Sequence, residues 1–146
     1  MEKGYRLLIG CCIAIFAALL VVGTVSSGVV RHIVQTSPLW FVIVLSACQS
    51  PWSKWAALPC YVFWLLLMIA IWLFLFGWAR IVSGTFSLTE IVMTVIVGLA
   101  SVVGIVRALS MRSDVRTFPA TAIVFLVALL QLAALRLSLL PAIAHR

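Results

Sequence analysis

The side chains able to do chemistry are few, and they stand at the ends of apolar runs. Arg31, His32 and Gln35 lie together in the sequence, with Arg80 further on. A guanidinium, an imidazole and an amide can hold a polar ligand. They have no nucleophile or carboxylate beside them in the chain, and catalysis needs positioned acids, bases or metals. No catalytic residue is assigned, and an enzyme acting alone is not expected.

Metal chemistry has even less to stand on. His32 and His145 are the two histidines, and a metal or haem site needs several ligands brought together. His32 reads as an interfacial polar residue beside Arg31. Cys11 and Cys12 are adjacent within the first apolar run, where cysteine usually behaves as a small hydrophobe. No C-x-x-C motif appears. Cys48 and Cys60 would bridge only in an oxidising compartment, and the topology below places their loop in the cytoplasm, where disulfides are rare. No cofactor and no metal are expected.

The acids are Glu2, Glu90 and Asp114, and none falls near the middle of an apolar run. Proton-coupled transporters typically hold a carboxylate there. Glu90 closes the sequence Ser87-Leu88-Thr89-Glu90, a capping box whose acid sits favourably at a helix N-terminus. The competing reading, a substrate or cation site, explains less. Gln131 is the clearest polar residue inside a run. In lipid it should find a partner on another helix, for about 1 kcal/mol. That makes it structural glue before it is a ligand contact. Arg136 can snorkel to the interface, with Glu90 as a candidate partner on the same side.

The elements that must carry these groups follow from composition. The chain has 146 residues, 66% hydrophobic and 9% charged. A soluble domain of this size leaves roughly a third of its chain surface in water, so it could not hide so much apolar area. The expected fold class is all-α: one integral membrane domain, a polytopic transmembrane helical bundle over residues 1–146. Four full-length runs, residues 7–30, 56–79, 88–106 and 118–140, meet the roughly 20 residues needed to cross a bilayer. Each must be helical there, because every backbone polar group needs an internal partner. Small residues between Gly23 and Gly28 mimic a signal-peptide cleavage site, but the first run has the length of a retained span.

A fifth segment, residues 33–50, is short or kinked. Ser37 suits an N-cap and Pro38 the first helical position, and a helix from there would be only about 20 Å long. It crosses if it starts before Pro38; otherwise it re-enters. Thr117 is expected to cap the last run, with Pro119 in its first turn, and Pro141 to stop it. Charge favours five crossings. With the N-terminus cytoplasmic, Lys3, Arg6, Lys54, Arg107, Arg112 and Arg116 lie inside, and Arg31, Arg80 and Arg146 outside. The C-terminus is then outside. The net charge of +7 is scattered between apolar runs, which reads as topology and anionic-lipid contact and gives no case for a nucleic-acid partner.

Two further patterns concern contact surfaces. Gly10, Ala14 and Ala17 share one face of the first run, and Thr94, Gly98 and Ser101 one face of the fourth. Such faces permit close helix approach. The third run is bulky, and Trp64 and Trp72 lie deeper than the interfacial belt. They are expected to pack against lipid, a partner helix or a quinone-like ligand.

No Walker loop, nucleophile elbow, zinc motif or dinucleotide fingerprint is present. The leading expectation is a non-catalytic accessory or structural subunit of a larger membrane complex. The alternatives are a small oligomeric transporter or channel, and a lipid- or quinone-binding membrane protein. Partners are expected to be lipids and other membrane subunits or copies of this chain. A bacterial inner membrane is the expected location.

Overall fold

A computed structural model describes residues 2–80, 84–112 and 115–144; Asp114, His145, Arg146 and the side chain of Glu2 lie outside the described residues. The chain forms α1 (Glu2–Val25), α2 (Val29–Ala47), α3 (Ser53–Leu75), α4 (Leu88–Ser110), α5 (Thr117–Ser138) and a terminal turn, α6 (Pro141–Ala144). Five of these helices are long and apolar enough to cross a membrane. The protein is an all-helical, membrane-spanning bundle.

Its inside and outside confirm that solvent. Gln35, Thr36, Ser46, Ser53, Thr94, Ser101, Gln131 and Ser138 are buried, while Leu99, Phe125 and Leu129 are each more than 60% exposed. A protein in water would suffer from that arrangement. In lipid the exposed leucines cost nothing, and Gln35, Thr36, Thr94, Ser101, Gln131 and Ser138 each donate a hydrogen bond to a group on a helix.

The helix boundaries correct several expectations. Residues 7–30 are not one helix. α1 stops at Val25 in a Schellman turn, with Ser27 left-handed at φ 56° and the Gly28 N–H donating to the Gly23 carbonyl at 2.9 Å. A β-carbon on Gly23 would sit 2.9 Å from the Val29 Cα, so only glycine lets α2 turn back this closely. The same ending recurs twice. Gln49 (φ 49°) ends α2 with the Ser50 N–H on the Leu45 carbonyl, and Gly77 (φ 74°) ends α3 with the Trp78 N–H on the Leu73 carbonyl.

Ser37 and Pro38 do not begin α2; they lie in its interior. The helix starts at Val29 and has 19 residues, about 28 Å at 1.5 Å per residue, so it spans. Pro38 removes the N–H that would reach the Val34 carbonyl. The Ser37 hydroxyl replaces it, donating to Val34 O at 2.8 Å. Thr36 Oγ1 adds bonds to the His32 and Ile33 carbonyls at 2.9 and 3.1 Å. Neighbouring hydroxyls thus repair the break, as the lipid cannot. Thr117 is likewise not the cap of α5. Arg116 holds that position without a side-chain bond, and the Thr117 carbonyl accepts from Thr121 Oγ1. Pro141 opens α6; α5 has already ended at Ser138.

α1 packs on α2 and α4, α3 on α4 and α5, and α2 on α5 and α3. The spatial ring is therefore α1–α2–α5–α3–α4, with α2 and α3 also meeting across it. One end of the ring, here the near end, carries the N-terminus and the α2–α3 and α4–α5 connections. The far end carries the α1–α2 turn, the α3–α4 loop and α6. Near-end packing is locked by Tyr61, whose hydroxyl donates to the Leu8 carbonyl at 2.7 Å. That uses its one hydrogen, so the Cys12 thiol donates to it at 3.2 Å. The Tyr61 ring lies on Gly104, where a β-carbon would come within 2.6 Å of it. Lys54 Nζ donates to the Met111 carbonyl at 2.6 Å, tying the first turn of α3 to the end of α4.

Candidate functional site

The ring does not close at its far end. A cavity of about 290 Å³ lies there, with walls drawn from α1, α2, α3, α4, α5 and the α3–α4 loop. Its apolar part comes from residues such as Leu19, Leu67, Met68, Ile71, Met93 and Val97. Its polar part includes Arg31, His32, Gln35, Glu90 and Thr94, with Trp64 also in the wall.

Each polar group is placed by a local device. The tight turn at Gly23 and Gly28 brings Arg31 and His32 into the first turn of α2, beside the end of α1. The capping box sets Glu90. Its Oε2 accepts from the Ser87 N–H at 2.7 Å and the Ser87 hydroxyl at 2.8 Å, and its own N–H donates to Ser87 Oγ at 3.3 Å. Gln35 is held by α5. Its Nε2 donates to Ser138 Oγ at 2.9 Å, and Ser138 passes its hydrogen to the Leu135 carbonyl at 2.7 Å. Gln131 Nε2 donates to the Gln35 main-chain carbonyl at 3.0 Å. Gln131 and Ser138 stand two turns apart on one face of α5, so they grip the same residue of α2.

Several polar atoms around the cavity lack partners. Arg31 Nε and Trp64 Nε1 are buried donors with no hydrogen-bond partner, His32 Nδ1 is buried without one and can donate or accept according to its tautomer, and Gln131 Oε1 is an unmet acceptor behind Gln35. Trp64 is 1% exposed, so bilayer or bulk water does not reach its N–H. A buried group left in this way costs about 1–3 kcal/mol. Clustered around one void, such groups mark a place where a ligand acceptor would be welcome. Glu90 is the sole carboxylate among the described lining residues, and its charge opposes that of Arg31. His32 lies within electrostatic reach of both, with the Gln35 side chain beside it. The arrangement suits a head group that is uncharged overall and rich in carbonyl-type acceptors.

The structure sorts the residues singled out from the sequence. Arg31, His32, Gln35, Glu90, Trp64 and Thr94 come together at this cavity. Gln131 stands one layer behind, bonded to Gln35. Arg136 is exposed at the end of α5 and Arg80 beyond α3, and neither lines the cavity. Trp72 lies on the other side of the α3–α4 seam, in a groove floored by Gly98. Ser101 is buried with its hydroxyl on the Val97 carbonyl at 2.7 Å. Gly10 and Ala17 point away from the bundle, and Ala14 is half-buried. α1 instead packs through Leu8, Cys11, Cys12, Ile15, Ala18 and Leu19. The four cysteines are unbridged.

Sequence reasoning missed Met68, Met93 and Ser138. The two methionines carry no polar signal. Ser138 had one, its seven-residue spacing from Gln131, but that becomes informative only once α5 is known to lie on α2. Comparison of the chain with family models, with curated proteins and with solved structures gives no match.

Proposed function

We propose that this small integral membrane protein binds a lipid-soluble amphiphile of the quinone type, its carbonyl-bearing head seated in the far-end cavity. The observation that carries the reading is the pair of unpartnered buried donors, Arg31 Nε and Trp64 Nε1, with the unpartnered His32 Nδ1 beside them, at one apolar-walled void. A charged phosphate head is less well served, because Glu90 faces the same space. A bacterial inner membrane suits such a ligand and remains the proposed location.

The test is equilibrium binding in nanodiscs made of quinone-free lipid, with a short-tailed benzoquinone as probe and an anionic phospholipid as competitor. Saturable quinone binding that the phospholipid does not displace is the expected result. Arg31→Gln should weaken it about tenfold, the value of one hydrogen bond to a charged group. Displacement by the phospholipid would move the assignment to lipid binding. No saturable binding of either would end the cavity reading.

A second reading, the accessory subunit, is favoured by Gly10 and Ala17. They lie on the outward face of α1, and a β-carbon on Gly10 would touch nothing. A neighbouring transmembrane helix can approach closely at such a place. Mild extraction from the native membrane should then co-purify a stoichiometric membrane partner, lost in Gly10→Leu. A chain that emerges alone from both extractions would remove this reading.

A further inference from the structure

The cavity has a neighbour on the lipid side. Between α3 and α4 runs an open groove of about 380 Å³, whose walls include Leu65, Ile69, Trp72, Phe76, Val95 and Leu99. It is almost wholly apolar. Two residues, Met68 and Thr94, border both the groove and the cavity. They stand as a partition between the apolar-walled, donor-bearing chamber and the open groove.

We infer that the bound amphiphile threads this partition: its head sits in the cavity, and its hydrocarbon tail passes between Met68 and Thr94 into the α3–α4 groove. The inference rests on the cavity reading above and adds the tail's seat and the route of entry.

Three features of the seam fit a passage. Met68 is 4% exposed and closes the partition, yet its unbranched thioether chain has three rotatable bonds and swings aside more readily than a branched residue. The Thr94 hydroxyl is already spent on the Ile91 carbonyl at 2.7 Å, so it sets no unmet polar group against a passing tail. Gly98 lies on the groove floor, and a β-carbon there would find only Met68 Cβ, at 3.9 Å. Any larger residue would fill the groove. A ligand from water would have no use for this opening. A ligand dissolved in lipid meets it directly.

The tail gains little free energy by exchanging lipid for an equally apolar groove, since no hydrophobic driving force acts between the two. The groove therefore fixes pose and route more than affinity, and the decisive measurement reads position. The probe is a benzoquinone with a decyl tail ending in a diazirine, photolysed on the full-length protein in nanodiscs and mapped by peptide mass spectrometry. Labels are expected on the α3 and α4 residues flanking Gly98, and a methyl-tailed benzoquinone should compete them away. Gly98→Phe should displace those labels while binding of the methyl-tailed compound stays within about twofold, because the head site is untouched. Labels that the methyl-tailed compound displaces but that map to α2, α5 or the far-end loops would overturn the tail route and leave the cavity reading standing. Groove labels indifferent to both the competitor and Arg31→Gln would show ordinary lipid contact, and would overturn the route together with the cavity reading.

Discussion

Trp64 and Gln131 are both buried and both carry an unmet polar atom, but they predict opposite things. The Trp64 indole N–H has no partner on the protein. Trp64→Phe removes it and keeps an aromatic ring in the wall, so thermal unfolding in mild detergent should show stability unchanged or raised by up to about 1 kcal/mol. Quinone binding should fall in the same variant. Lower stability with unaltered binding would mean that the indole merely packs. Gln131 is different because its amide N–H is in use, on the Gln35 carbonyl. Gln131→Leu loses that bond and also deletes the unmet Oε1, so the cost should be only about 0.6 kcal/mol, the average for interhelical polar contacts in membranes. A loss several times larger would reveal a partner for Oε1 that the isolated chain does not supply.

Among the elements, α4 is held most intolerantly. Its Gly104 lies beneath the Tyr61 ring, and the ring cannot retreat while its hydroxyl holds the Leu8 carbonyl. Gly104→Ala should therefore destabilise the bundle by about 1–3 kcal/mol, the usual cost of overpacking. Tyr61→Phe in the same chain should recover part of that, and the double-mutant comparison measures the coupling. The end of α3 offers a simpler case. Gly77 is left-handed and a β-carbon on it would meet nothing, so Gly77→Ala should cost about 1–2 kcal/mol from backbone strain alone. Gln49 and Ser27 already bear that strain at the ends of α2 and α1.

On the scale of the whole molecule, five crossings put the near and far ends on opposite sides of the membrane. Cys48 is exposed at the near end, and the other three cysteines are buried. A membrane-impermeant maleimide should reach Cys48 from one side only. With Cys48 replaced by Ser, Thr85→Cys should react from the other side only. The distribution of Lys and Arg predicts that the Cys48 side is cytoplasmic. Reaction of both positions from the same side would mean that α3, the helix between them, does not cross.

The sequence by itself determined the solvent and the fold class, and its charge pattern favoured five crossings. Those follow from quantities that add along the chain: apolar length against bilayer thickness, and charge between the runs. It also determined the capping box at Ser87 and Glu90, because a cap is a contact between residues three apart. It misplaced what depends on backbone bonds that composition does not show. The break after Val25 needed the Gly23–Val29 approach, and the passage of α2 through Pro38 needed the Ser37 hydroxyl on Val34. Whether small residues face in or out was also undecided. Thr94 and Ser101 turn inward and Gly10 and Ala17 outward, since lipid is as apolar as leucine and no hydrophobic pattern marks the inner face. Most of all, the cavity was not legible. Arg31, His32, Trp64 and Glu90 share one chamber because α4 packs between α1 and α3 and α5 closes the ring beside α2. That ring order comes from helix contacts between residues far apart in the chain, and only the tertiary structure contains them.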